Sequence, residues 1–131
     1  WYDQGSVYFT TKGDDHVRRY DVEAETVTVV YDGSGVLTGV DNLTVEPSTA
    51  DLYVAEDGGN MEVVMIRPDS TVTAVARVVG QEGSEIAGPC FSPDGQRLYF
   101  SSQRAPVGPF NAPFGMTYEV SGPWDELLGR P

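Results

Sequence analysis

Oxygen-bearing side chains gather where strand-like segments of this chain begin and end. Asp41-Asn42 stands at the head of one such segment, Glu56-Asp57 closes the next, and Glu85 precedes a third. Carboxylates, amides and carbonyls are the donors that a hard cation such as calcium takes, about six to eight at a time. If the segments start from a common rim, these residues converge there and calcium is the expected cofactor. Asp, Asn and Gly are also common turn formers, so a purely local role for each is the competing reading. Arg104 follows a strand-like segment at the same presumed rim and is the arginine placed for a phosphate contact. Arg18 and Arg19 are consecutive, so at least one of a strand's two faces sends an arginine outward. Arg67 runs into a Pro68-Asp69 turn.

Other chemistries have less to stand on. His16 is the single histidine, it follows Asp14-Asp15, and no Gly-x-Ser-x-Gly elbow accompanies it, so serine-hydrolase chemistry is not expected. Cys90 lies in Gly88-Pro89-Cys90-Phe91. It could ligate a soft metal, but free cysteine is among the most buried residue types, and a packed side chain is the expectation. One cysteine permits neither an internal disulfide nor a cysteine-based zinc cluster.

The elements that must position these groups come from a repeat. HVRRYDVEAETVTVV, from His16, aligns without a gap on MEVVMIRPDSTVTAV, from Met61, an offset of 45 residues. Val7-Tyr8-Phe9, Leu52-Tyr53-Val54 and Leu98-Tyr99-Phe100 recur at nearly the same interval. Each copy is rich in β-branched and aromatic residues and is bounded by turn signals such as Lys12-Gly13-Asp14, Asp57-Gly58-Gly59-Asn60 and Pro93-Asp94-Gly95. An interval near 45 filled by short strands is the length of a four-stranded propeller blade.

The spacing predicts an all-β chain, a partial β-propeller of about two and a half antiparallel blades. The blade repeats span about 5–35, 36–80 and 81–124, followed by a tail over 125–131. Labelled from the centre outward, the first copy has strands B to D, the second A to D, and the third A to C, ten strands in all. A helical hint covers Trp124 to Leu128, and the Pro/Gly-rich stretch Ala105 to Gly115 reads as a loop that packs down through Phe110 and Phe114. Propellers have typically about four to eight blades. A shorter arc leaves apolar faces bare at both ends, so the expected partners are the remaining blades or another copy of the chain. A missing outer strand in the third copy, and an opening at Trp1 without an initiator methionine, fit the C-terminal end of something longer.

Composition narrows the partners. The 131 residues carry 20 acidic and 8 basic side chains, a formal net charge of −12. Nucleic acid and anionic membrane surfaces both call for a basic face, and neither is an expected partner. No run approaches the length of apolar residues that crosses a bilayer, and the given residues show no basic start followed by an apolar core, the pattern expected of a signal peptide.

The ordered series Asp41-Asn42-Leu43-Thr44-Val45, Asp51-Leu52-Tyr53-Val54-Ala55-Glu56-Asp57-Gly58 and Ser84-Glu85-Ile86-Ala87-Gly88-Pro89-Cys90-Phe91-Ser92-Pro93-Asp94-Gly95 resembles the late blades of the PhoX-type bacterial alkaline phosphatases. The opening Gly5 to Thr10 and the closing Thr117 to Trp124 fit the same C-terminal region. The resemblance implies a six-bladed propeller, exported to the periplasm or beyond, that hydrolyses phosphate monoesters with calcium and iron in its central channel. It also implies Asp41, Asn42, Glu56 and Glu85 as the metal-facing set. With the other blades lacking, the chain is expected to be inactive alone. Two alternatives stay open: a calcium-dependent lactonase-type propeller enzyme, and a non-catalytic propeller that binds a ligand or partner.

Overall fold

A computed structural model describes residues 1–57, 59–104 and 114–129. The described residues form three antiparallel sheets. The first holds β1 (Tyr2–Asp3), β2 (Ser6–Thr11), β3 (His16–Asp21) and β4 (Thr26–Tyr31). The second holds β5 (Val40–Glu46), β6 (Asp51–Glu56), β7 (Glu62–Ile66) and β8 (Val72–Arg77). The third holds β9 (Ile86–Phe91), β10 (Arg97–Ser102) and β11 (Met116–Ser121). Within each sheet consecutive strands pair antiparallel, and all but β10 and β11 are joined by turns of two to five residues, too short for a crossover. One short helix, α1 (Trp124–Leu128), follows and ends at Gly129 in the left-handed region.

Ten of the eleven strands stand where the repeat predicts them, to within a residue at most ends. The eleventh corrects the reading of the first copy, which has its inner strand after all. Tyr2 pairs with Val7 and Asp3 with Ser6. The Trp1 carbonyl accepts from the Tyr8 amide at 2.7 Å, and the Trp1 amino group donates to the Tyr8 carbonyl at 2.9 Å. Two residues carry no periodicity, so their strand character comes only from the partner beside them. The helical hint over Trp124 to Leu128 stands as α1. Positions 105–113 of the expected loop, Phe110 among them, lie outside the described residues, and Phe114 is exposed.

The sheets stack face on face through two apolar layers. Val17, Tyr31 and Leu37 meet Leu52, Val54 and Ile66 between the first and second sheets. Tyr53, Met65 and Val63 meet Leu98, Phe100 and Trp124 between the second and third. The alternation along β6 explains how one strand serves both layers. Leu52 and Val54 point one way and Tyr53 and Ala55 the other, and all four are buried. Of the residues expected in the core, Val45, Tyr53, Val54, Val64, Ile66, Leu98 and Phe100 are buried. Leu43 and Phe91 are only half-buried, because β5 and β9 are edge strands with one side uncovered. Cys90, expected to be packed, is exposed. It lies on the face of the third sheet that turns away from the second.

The two outer faces of the stack differ. Val7, Phe9, Tyr20, Val27 and Val29 make part of the outer face of the first sheet apolar, beside Thr11, His16 and Arg18. Tyr99, Ser101, Thr117 and Glu119 make that of the third sheet polar, so the expectation of an apolar patch at each end holds for only one end.

Candidate functional site

The inner strands bulge where the sheets approach one another. Between Val40, opposite Glu56, and Leu43, opposite Val54, two residues of β5 face one of β6. Those two are Asp41 and Asn42. The extra residue bends the strand and aims both side chains out of the ladder. β9 has the same irregularity at the same place, between the Tyr99–Cys90 and Ser101–Ala87 pairs. The two bulges touch, since the Gly88 amide donates to Asn42 Oδ1 at 3.0 Å. Thr10 of β2 fixes the same segment from the other side, its hydroxyl donating to the Asp41 carbonyl at 2.5 Å.

Charged side chains from all three sheets meet at this end. Lys12, in the β2–β3 turn, places Nζ 2.5 Å from Asp57 Oδ2 and 3.4 Å from Asp41 Oδ2. Asp57 follows β6 and Glu85 precedes β9. Arg104, two residues beyond β10, donates from its guanidinium to Glu85 Oε1 at 2.9 Å and to the Gly83 carbonyl at 3.3 Å. One ligand atom each of Asp41, Asp57 and Glu85 lies within 4.8 Å of the others. All three side chains are half-buried. The chain reaches this point through Gly39, whose φ is 61°. A Cβ there would stand 2.8 Å from the Asp57 carbonyl oxygen, so no larger residue fits without moving the turn that carries Asp57.

The electrostatics follow from these contacts. The Lys12 hydrogen bond, and after it one shared with Glu85, hold the Asp57 carboxyl below the usual aspartate range. The same hydrogen bond to Asp57 raises the Lys12 ammonium above its ordinary value.

Of the residues expected to face a metal, Asp41 and Glu85 therefore meet, and Asn42 and Glu56 do not join them. Asn42 is the strut between the two bulges. Glu56 is fully buried and points the other way, where its two carboxylate oxygens accept the Thr38 amide at 3.0 Å and the Glu62 amide at 3.1 Å. Burial raises its carboxyl above the usual glutamate range. Its neighbour Asp57 occupies the rim instead. Strand alternation at the end of β6 separates the two, and the Glu-Asp pair alone does not say which residue takes which side. Lys12 and Arg104 complete the cluster, and Arg104 is engaged by Glu85.

His16 serves a separate contact on the outer face of the first sheet. Its Nδ1 lies 2.5 Å from Asp14 Oδ2, which also receives Arg18 at 2.5 Å. The Thr11 hydroxyl, then His16, draw the Asp14 carboxyl well below the carboxylate range. Among the described residues no helix is long and apolar enough to cross a membrane. No protein-family model, curated protein or solved structure matches the chain.

Proposed function

We propose that the three sheets are consecutive blades of a β-propeller, the C-terminal part of a six-bladed one, and that their common rim binds a hard divalent cation, calcium first, through Asp41, Asp57 and Glu85. The observation that carries this reading is the meeting of three carboxylates from separate elements of two sheets, with ligand atoms within 4.8 Å of one another. Such oxygens repel one another unless positive charge lies between them. Lys12 and Arg104 supply part of it. Lys12 is exposed and Asp57 only half-buried, so the pair holds its geometry weakly and yields to a doubly charged ion at small cost.

Calorimetric titration of calcium into the metal-free chain tests this. Saturable binding is expected, weakened at least tenfold by Asp57→Asn and strengthened by Lys12→Met. Binding absent from both the parent chain and Lys12→Met sinks the reading. The short Lys12–Asp57 contact favours a second reading in that case, an ion-pair clamp that ties the first sheet to the second, while Arg104 fixes Glu85 within the third.

The activity proposed for the assembled propeller is hydrolysis of phosphate monoesters, and the protein is proposed to be exported. A bound cation polarises phosphoryl oxygens and lowers the pKa of a coordinated water. From this chain, Asp41, Asp57 and Glu85 would hold the ion, and Arg104 at the same rim would take a phosphate oxygen. Turnover of p-nitrophenyl phosphate by the intact polypeptide, with calcium and iron against a chelated control, is the measurement. No turnover, with one bound ion by elemental analysis and lactone hydrolysis in its place, would assign a lactonase-type enzyme. Neither activity, with calcium bound, would leave a cation-dependent binding propeller.

A further inference from the structure

We propose that the gap between the second sheet and α1 is a binding site for a small organic acid, a carboxylate carried on an apolar body. The site lies beside the β7–β8 turn. That is the opposite end of the hairpins from the turn that carries Asp57, so the site is separate from the cation rim.

Strand alternation builds one wall. Tyr53 of β6 stands beside Met65 of β7, and Met65 beside Thr73 of β8, a row across the face of the second sheet that looks toward the third. Arg67 comes two residues after Met65 and takes the same side, where its guanidinium donates to the Leu127 carbonyl of α1 at 3.0 Å. Phe91 of the third sheet covers the Tyr53 end of the row, with ring centroids 4.8 Å apart. Toward Thr73 the cover is α1, and Trp124 and Leu127 leave a cavity of about 300 Å³ above the row. Described residues bound it on the sheet side and on the α1 side. The volume is at the lower end of the range of ligand sites. At roughly 30 Å³ for each water-sized group, it takes about ten non-hydrogen atoms.

Two donors on the cavity wall select the ligand. The Arg67 guanidinium has N–H groups along two edges and no acceptor. Its contact with Leu127 leaves one edge free. Arg18, Arg19, Arg97 and Arg104 are each matched to a carboxylate, and Arg67 forms no salt bridge among the described residues. Asp69, two residues on, accepts the Thr71 amide at 2.9 Å instead. The second donor is the indole of Trp124. It is 2 % exposed, and its Nε1–H finds no acceptor among the described residues. A buried donor left without a partner is unfavourable, so an oxygen brought into the adjoining cavity is favoured there. A carboxylate meets the arginine edge with two parallel hydrogen bonds. The side chains of Tyr53, Met65 and Leu127 offer the rest of the ligand an apolar surface. That lining suits a monocarboxylate with a hydrocarbon body better than a phosphate dianion, which a single guanidinium would leave half-neutralised.

Phenylacetate, of about ten non-hydrogen atoms, is the probe. It is titrated into the full chain carrying Trp1→Phe, so that Trp124 alone reports by fluorescence. Saturable one-to-one binding is expected, with a Kd of about 1 mM or below for a ligand of this size. Phenylacetamide, its neutral isostere, should bind at least tenfold more weakly, and so should phenylacetate to Arg67→Met. Arg67→Met also removes the Leu127 contact, so Thr73→Trp is the second variant. It fills the cavity from an exposed position of β8 and should abolish binding with the native circular dichroism retained. The phenylacetamide comparison needs neither variant, so it decides the charge requirement even if both unfold. No binding up to about 10 mM overturns the proposal. So does equal binding of the acid and the amide, or binding that survives Thr73→Trp. Affinity should be the same with calcium and with a chelator. Binding that requires calcium would place the acid at the cation rim and overturn the assignment to α1.

Discussion

Glu56 is a carboxylate recruited as a structural acceptor. It is buried, it takes two backbone amides, and it tethers the segment before β5 to the start of β7. Glu56→Gln keeps the shape but offers one acceptor where there were two, so a buried amide loses its partner. The expected loss is about 1–3 kcal/mol in urea unfolding at neutral pH. The pH dependence has a definite sign. Burial lifts the Glu56 carboxyl above its usual 4.5, so the folded state holds the proton more tightly than the unfolded chain. The Glu56 contribution to stability is therefore fully present below that value and is lost as pH rises through the folded value. Glu56→Gln should flatten that part of the profile. Asp57 behaves oppositely: its lowered carboxyl stabilises above the usual 3.8, and the contribution disappears as pH falls through the folded value. Asp57→Asn should make the acid limb of a melting-temperature profile shallower. An unchanged limb would mean that the rim contacts carry no stability.

The strands derive their placement from layers that no single sheet contains. α1 has only five residues, too few to stand alone, and it holds its position through Trp124. The indole is 2 % exposed and packs edge-on against Phe91, with centroids 5.6 Å apart, and against Tyr53 at 6.5 Å. Trp124→Ala should cost about 3–5 kcal/mol and release α1 from the third sheet. Leu98→Ala, at the fully buried second residue of β10, should cost about 2–5 kcal/mol through the cavity it leaves. Ser121→Ala, at the exposed end of β11, should cost less than about 0.5 kcal/mol. Equilibrium unfolding of the three variants checks the order, and equal losses would mean that the layer between the second and third sheets is not what holds β10 and α1.

At the scale of the molecule, a charge of −12 spread over 131 residues repels itself in the compact state. Salt screens that repulsion within a Debye length of about 10 Å at 0.1 M. The thermal midpoint should therefore rise as sodium chloride is raised from about 0.02 to 0.3 M. It should rise further with millimolar calcium at constant ionic strength, because an ion bound only by the folded state stabilises it by mass action. Asp57→Asn should retain the salt effect and lose the calcium increment. A calcium increment that survives Asp57→Asn would place the ion elsewhere.

The sequence by itself determined the strand-rich class, the interval near 45, ten of the strands and most of the buried set. Those features depend on the period-two alternation and turn chemistry of local segments, which the Val7-Tyr8-Phe9, Leu52-Tyr53-Val54 and Leu98-Tyr99-Phe100 triplets carry openly. It also marked the acidic pairs as an unusual feature of the strand ends. Tertiary structure decided the rest. β1 exists because β2 offers it a ladder, and Cys90 is exposed on the face of the third sheet that turns away from the second, while Thr44, at the same place in the preceding copy, is buried. The choice between Glu56 and Asp57 turned on which side of β6 each residue takes at the strand's last turn, and a one-residue step sends a side chain to the opposite face. Asp41 reached the rim, and Asn42 became a strut, through a bulge seen only in the pairing of β5 with β6. Lys12 joined through the stacking of the first sheet on the second, which brings its charge to Asp57 and Asp41, whereas the pairing of β9 with β10 sets Arg104 against Glu85 within the third sheet.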